Sequence, residues 1–424
     1  MKILVIGGGG REHAIAWRLF KDNNGKNEIF CAPGNAGTAS FATNVPIGAE
    51  NIDDLVAWAQ VVRPELVVVG PEAPLCLGIA DKLRSIGLDV FGPGKEGAQI
   101  EGSKAFAKEV MAAAHVPTAH AESFTDADEA IRALDRFGLP VVIKADGLAA
   151  GKGVLICQTR EEAESGIRDI LTDRRFGEAG ASLLVETFLE GEEASILAIV
   201  DGEKFAVLPP AQDHKRIFDN DEGPNTGGMG AYSPAPVVTD EISKTAIEKV
   251  FKPVVAELAR RGIDYRGVLY AGLMIGSAGV NVLEFNCRFG DPETEVILPR
   301  IGGNFTELLL SCAKDQLDPE SLVILDEPCA TVVMASEGYP GSYPKGRVIT
   351  GLDDANAEPS TTVFHAGTAS KGDAVVTSGG RVLTVTATGK TLREAVDKAY
   401  AGVGKIHFDG AQYRHDIAHR AFDR

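Results

Sequence analysis

The most constraining feature of the chain is the alternation in residues 1–102, where short apolar runs are separated by amphipathic ones. "KILVIGGGGREHAIAWRLF" reads as a buried strand, a glycine turn and a helix. "NEIFCAP", "ELVVVGPE" and "LDVFGP" supply further strands, with the helical "IDDLVAWAQVV" before "ELVVVGPE". Apolar strands joined by helices predict an open parallel α/β sheet covered on both faces. Ligands of such sheets collect in the loops beyond the carboxyl ends of the strands. "GGGGRE", "PGNAG" (33–37) and "GPEAPL" (70–75) lie there. A dinucleotide fingerprint needs G-x-G-x-x-G and an acid at the tip of the second strand. Gly7 and Gly9 fit, but position 12 is Glu, and the second strand ends in "FCAPGNAG" without an acid. A plain tight turn remains, or a phosphate held at the helix N-terminus with Arg11 as its counter-charge. Loops that converge in this way suit a sugar phosphate better than a dinucleotide.

A second constraint is "VVIKADGLAAGKGVLI", residues 141–156. A P-loop would run G-x-x-x-x-G-K-[ST] from a strand into a helix. Here three residues separate Gly147 from Gly151, Lys152 is followed by Gly153, and the apolar Val154–Cys157 comes next. The stretch therefore predicts strand, glycine loop, strand: a hairpin. Lys144 stands in mid-strand, which taken alone reads as a side chain snorkelling from a sheet edge.

Around that hairpin, residues 103–190 read as a small unit. Its first helix, "SKAFAKEVMAAAHVP", has Ser103 as N-cap and ends before Pro117. "DADEAIRALDRF", a helix around 160–172 and the strand "ASLLVETFL" complete it. Residues 191–318 form a second unit. It has the strands "EASILAIVDG", "KFAVLPPAQ", "GVLYAGLMIG" and "VNVLEFNC", a long polar glycine-rich loop (213–233) and a helix (240–261). In residues 319–424, "CATVVMAS", "TTVFHAGTAS" and "GRVLTVTATG" precede the helix "TLREAVDKAYAGVGKI". That pattern predicts a small, largely antiparallel α+β domain.

A net charge of −18 argues against a nucleic-acid binder, which would carry a basic surface. It leaves room for small anionic substrates at local sites. Six scattered cysteines without a C-x-x-C pair suit a reduced compartment. No apolar run approaches the roughly 18 residues of a membrane span, and the N-terminal apolar run is too short for a signal peptide. A cytoplasmic protein that contacts neither membrane nor nucleic acid is expected, and a monomer.

Chemistry concentrates in "NVLEFNCRFGDPETE", residues 281–295. Strand alternation puts Glu284, Asn286 and Arg288 on one face, with Leu283, Phe285 and Cys287 on the other. A solvated strand face is one reading. The other is a hard-cation site, because Mg²⁺ takes one or two protein oxygens and completes its shell with water and substrate phosphates. Arg288 can fork onto a phosphate or a carboxylate. Along the chain the order is Lys104 at a helix start, Lys144 with its glycine hairpin, Glu186 and Glu193 around a short link, then E-x-N.

That order resembles the ATP-grasp superfamily, whose members hold ATP between two α+β units under a glycine-rich flap. Within it, "VIGGGGREHA", "APGNAG", "VVGPEAPL", "KADGLAAGKGV", "QDHKRIFDNDEGPNTGGMGAYSP" and "EFNCRFGDPETE" resemble the glycinamide ribonucleotide synthetase family over the whole length. The resemblance implies that Lys104 and Lys144 meet the ATP phosphates under a flap of Gly147, Gly151 and Gly153. It implies that Glu186, Phe188 and Leu189 form the adenine hinge, and that Glu193 holds the ribose. Glu284 and Asn286 match the ligands of Mg²⁺ or Mn²⁺. The strand before them carries no acid, so ATP and water are expected to complete the metal's shell. Glycine and 5-phosphoribosylamine are the implied acceptors. Gly8, Gly9, Arg11, Asn35, Gly37 and Glu72 fall to the sugar phosphate, Asp213 to the glycine ammonium group, and Arg288 with Lys144 to charge neutralisation during the reaction. A different ATP-grasp ligase or carboxylase, a dehydrogenase and a non-catalytic nucleotide binder are the competing readings.

Overall fold

Residues 1–148, 153–173 and 177–424 are described by the structure, a computed structural model. The N-terminal sheet is parallel throughout, in the order Thr43–Asn44, Glu28–Pro33, Lys2–Gly7, Leu66–Val69, Val90–Phe91. It contains one short edge strand, Thr43–Asn44, that hydropathy does not reveal because two residues have no periodicity to read. The central strands supply two cores by alternation. Leu4, Ile6, Val67 and Val69 enter one apolar cluster, while Ile3, Val5, Leu66 and Val68 enter another. This two-sided burial is why these strands carry no polar residue beyond the exposed Lys2 at the start of the first.

Both clusters continue into the central sheet, whose order is Lys204–Val207, Glu192–Asp201, Arg266–Gly276, Gly279–Asn286. Ile196, Ala198 and Val200 join the first cluster, and Leu197 and Ile199 the second. The helix Phe305–Ala313 seals the second cluster against the N-terminal sheet. A buried polar tie reinforces that contact. Asp22 pairs with Arg18 and accepts from the Thr306 backbone N–H at 2.7 Å and its hydroxyl at 2.9 Å.

The hairpin is as the glycine spacing predicts: Val141–Ala145 runs antiparallel to Val154–Cys157, with Lys144 opposite Val154. It lies in a four-stranded sheet with Ala121–Phe124 and Leu183–Thr187. The apolar cluster beneath this sheet is drawn from residues 124–185 alone, including the helices Ala127–Ala133 and Arg160–Leu171. Ser103 caps the helix Lys104–Ala113 by accepting from the Phe106 N–H. The helix expected over 240–261 runs from Asp240 to Arg260 with a π-helical turn at Ile247–Phe251.

The polar stretch 213–233 is not a plain loop. It contains the strands Gln212–Asp213, Arg216–Phe218, Glu222–Asn225 and Gly230–Ser233. Gly230–Ser233 is fully buried and pairs with Cys329–Ser336 of the C-terminal antiparallel sheet. Its composition conceals this because burial comes from a partner strand about a hundred residues away. The C-terminal region otherwise follows the expected α+β pattern, with Thr361–His365 and Arg381–Thr388 beside Cys329–Ser336 and the helix Leu392–Val403 packed on them. Among the described residues, no helix is long and apolar enough to cross a membrane.

Asp22→Ala strands the buried Arg18 guanidinium and frees two donors of Thr306. It is expected to cost about 3–5 kcal/mol of stability, read from denaturant midpoints. A loss below about 1 kcal/mol would show that the tie between the two layers is idle.

Candidate active site

Lys144 is 7 % exposed and reaches away from its own sheet. Its ammonium group lies 2.9 Å from Glu186 Oε2 and donates to the Leu283 carbonyl at 3.1 Å. Leu283 belongs to the other central sheet, where the register shifts: Glu284 faces Gly272 and Val282 faces Leu273, so Leu283 has no cross-strand partner among the described residues. This bulge corrects the strict alternation expected for 281–288. Val282 and Phe285 both enter the apolar core, Leu283 is half-buried at the seam, and Glu284 and Asn286 share the opposite face. The strand ends at Asn286, yet Arg288 stays beside it and donates to Asn286 Oδ1 at 3.0 Å.

Snorkelling does not describe Lys144, and neither does a charge kept for phosphate alone, because Glu186 already answers it. Glu186 is buried between Lys144 and Lys108, whose ammonium lies 3.4 Å from Oε1. Burial pushes the Lys108 pKa down, and Glu186 opposes that shift. Phe188 and Leu189 form the half-buried link between the two central sheets. The Lys104 ammonium donates to the Gly147 carbonyl at 3.1 Å, at the base of the glycine loop. Asp146 fixes that base by accepting from the Lys104 N–H at 2.6 Å and the Ser182 hydroxyl at 3.1 Å. Gly147 has φ +121°, which favours glycine. Gly153 accepts from the Ala145 N–H at 2.8 Å, and Gly151 lies outside the described residues.

Next along the seam, Glu193 pairs with Lys215, which holds its carboxyl below the ordinary range. Two residues before Lys215, Asp213 is 5 % exposed. Burial, with Glu293 and Glu193 adding to it against Lys215, raises its pKa to about 7. Glu293 accepts from Tyr270 at 3.0 Å and Ser195 at 3.1 Å, and those two hydroxyls lie 2.7 Å apart. Glu284 acts on both Lys104 and Lys215, opposing the lowering of the first by burial and favouring the charge of the second. Its carboxylate therefore presents a hard oxygen donor beside these lysines, and the Asn286 amide oxygen, which accepts from Arg288, a second, a set that suits Mg²⁺ together with phosphate.

A third cluster joins the strand-end loops. Arg288 pairs with Glu72 at 3.1 Å and Glu101 at 2.7 Å. Arg11 and Arg288 donate to the same Phe289 carbonyl, at 3.1 and 3.3 Å. Burial would raise the Glu72 carboxyl, but Arg288 and Arg11 outweigh it and bring it down to about 2. Glu12 explains the missing third glycine: its carboxylate accepts from the Gly9 N–H at 2.7 Å and pairs with Arg11, so the turn carries its own anion. Asn35 bridges the loops, donating to the Gly8 carbonyl at 3.1 Å and the His365 carbonyl at 2.7 Å. Gly37 is needed for space, since a Cβ there would lie 2.4 Å from the His13 ring. Lys108, Asp146, Glu101, Lys215 and Glu293 escape sequence reasoning. Lys108 follows Lys104 by one helical turn and Lys215 follows Asp213 by two residues, signals that proximity to assigned residues carries.

Lys144→Met removes a charge that both a phosphate and Glu186 would use. ATP-dependent kcat/KM is expected to fall at least about tenfold, and stability by about 1.5–3 kcal/mol. Lys144→Arg should restore stability more than kinetics. Unchanged thermal unfolding of the Met variant would show that the Glu186 pair contributes nothing.

Comparison with known proteins identifies the family. The N, ATP-grasp (A) and C domains of phosphoribosylglycinamide synthetase match residues 1–101, 102–294 and 329–420. A phosphoribosylamine–glycine ligase of Vibrio cholerae is 48% identical over 427 residues, covering 100% of this chain and 99% of that protein. The crystal structure of a phosphoribosylamine–glycine ligase from Thermotoga maritima superposes with a TM-score of 0.87 at 37% identity, covering 99% of this chain and 100% of the other. The biotin carboxylase domain of Hydrogenobacter thermophilus 2-oxoglutarate carboxylase shares the fold, with a TM-score of 0.73 at 19% identity over 97% of this chain and 91% of that one. The chain belongs to the phosphoribosylglycinamide synthetase family of ATP-grasp enzymes, the ADP-forming phosphoribosylamine–glycine ligases of purine biosynthesis.

Proposed function

We propose that the chain joins glycine to 5-phosphoribosylamine through glycyl phosphate. A glycine carboxylate oxygen attacks the γ-phosphorus of ATP and expels ADP. The amine nitrogen then attacks the acyl carbon, phosphate leaves with the bonding pair, and the nitrogen gives up a proton. Side chains do little covalent work in such a reaction; positioning and charge neutralisation carry it. The observation that carries the reading is the row of charges along one seam: Lys144, Lys104, Glu284 and Asn286 beside the sheet junction, with Asp213 and Lys215 at one end. Arg11, Glu72 and Arg288 form a separate cluster.

In this reading Lys104 and Lys144 take the ATP phosphates, Gly147, Gly151 and Gly153 close over them, and Phe188 and Leu189 border the adenine. Glu193 meets the ribose, which asks it to leave Lys215. Glu186 serves by holding Lys144 and Lys108 as well as by facing the base. Glu284 and Asn286 would hold Mg²⁺ or Mn²⁺, whose chemistry is to offset phosphate charge. Gly8, Gly9, Arg11, Asn35, Gly37 and Glu72 form the sugar-phosphate side. Arg288 neutralises charge between the two sides, and Asp213 receives the glycine ammonium. The units 1–102, 103–190, 191–318 and 319–424 divide this labour. A cytoplasmic monomer, free of membrane and nucleic acid, completes the reading.

The test is steady ADP release. It is expected only with ATP, Mg²⁺, glycine and phosphoribosylamine together, at one glycine incorporated per ADP. Turnover with bicarbonate and no amino acid would instead make the chain a carboxylase, and turnover with another amino acid would overturn the choice of glycine.

Asp213 adds a pH dependence. A carboxyl with a pKa of about 7 is neutral on the acid side and anionic above it. An ammonium-binding role needs the anion, so the glycine KM is expected to fall as pH rises through about 7, and Asp213→Asn should abolish that slope. A slope retained in the variant would move the role to another group.

A further inference from the structure

Arg381, the first residue of the C-terminal strand Arg381–Thr388, ties two loops of this site together, and one of them lies against a third. Its guanidinium donates to the Gly227 carbonyl at 2.8 Å, the Gly228 carbonyl at 3.4 Å and the Asp291 carbonyl at 2.9 Å. The other terminal nitrogen lies 3.0 Å from Asp291 Oδ1. The glycines are shaped to this contact. A Cβ on Gly227 would sit 3.1 Å from the Arg381 guanidinium carbon, and one on Gly228 would sit 2.4 Å from Pro292. The second Asp291 oxygen is turned toward the N-terminal glycine turn, where a Cβ on Gly9 would lie 3.6 Å from it. The floor beneath the turn is Glu295, fully buried, with neither carboxylate oxygen hydrogen-bonded among the described residues; a Cβ on Gly10 would lie 2.6 Å from its Oε1.

The glycine-side loop, the "GDPETE" segment and the sugar-phosphate turn thus meet at Asp291, and a residue of the C-terminal domain holds them there. A planar fork is suited to this task, because it satisfies several carbonyls and a carboxylate from one rigid plane. We propose that Arg381 is a positioning residue for the amine-transfer step, acting through Asp291, so that the C-terminal domain completes the phosphoribosylamine side of the site. This rests on the assignment of the N-terminal loops to phosphoribosylamine and of residues 213–233 to glycine.

The experiment varies each substrate in turn for Arg381→Lys, Asp291→Asn and the double variant, with thermal unfolding measured alongside. Arg381→Lys keeps the cation and loses the fork; Arg381→Gln, which keeps a donor and loses the charge, is the second variant. For Arg381→Lys and Asp291→Asn the KM for phosphoribosylamine is expected to rise at least about tenfold while that for ATP stays within about twofold. The double variant should be no worse than the poorer single, because both act through one contact. All three KM values rising together with a lower melting temperature in both Arg381 variants would make Arg381 a structural tie only. Unchanged kinetics, or fully additive losses, would also overturn the proposal. If the wild-type protein itself releases ADP without needing glycine and phosphoribosylamine, the functional reading fails instead, whatever the variants do.

Discussion

Opposite charges buried between the two central sheets are the constraint on which the remainder of the site depends. Lys144 leaves its own sheet to meet the carbonyl of the bulged Leu283 in the other, and Glu186 neutralises it on the way. A charge at this depth is tolerable only with a counter-charge and with its hydrogen bonds made. Each further charge then follows: Lys108 shares Glu186, Glu193 takes Lys215, and Glu284 faces Lys104. These cations are thereby held in place by fixed counter-charges, which is the preorganisation the proposed phosphate-binding role calls for.

The bulge is a small device with large effect. One residue without a cross-strand partner reverses which side chains face the core. Val282 and Phe285 can then both be apolar and buried while Glu284 and Asn286 share the opposite face. The same shift gives the seam a carbonyl to which Lys144 donates.

Much of this was legible in the sequence, because it depends on local pattern. The parallel N-terminal sheet follows from apolar runs alternating with helices, and the hairpin around Lys144 from glycine spacing. The pairing of Glu284 with Asn286 follows from a period of two. What was not legible depends on distance along the chain. Nothing near Glu101 announces that it will share Arg288 with Glu72, and nothing in "GGMGAYS" announces a buried strand. Lys215 reads as one more surface lysine until the fold sets Glu193 against it. Glu12 shows the converse: a departure from a familiar glycine pattern has a local physical cause, a carboxylate that closes the turn it begins.

The pairing of Gly230 with Val332 has a consequence for how the chain is made. The strands that frame Lys144 and Glu284 are complete once Asn286 has emerged from the ribosome, and they pair with near neighbours. Asp213 sits on Gln212–Asp213, which pairs with Gly230–Ser233, and that strand waits for Cys329–Ser336. Contacts across such separations form late. A nascent chain therefore assembles the sheets that carry Lys144 and Glu284 before the 213–233 stretch has a sheet to join, and Gly230–Ser233, the partner of the strand carrying Asp213, remains without its other neighbour until about a hundred further residues have been added.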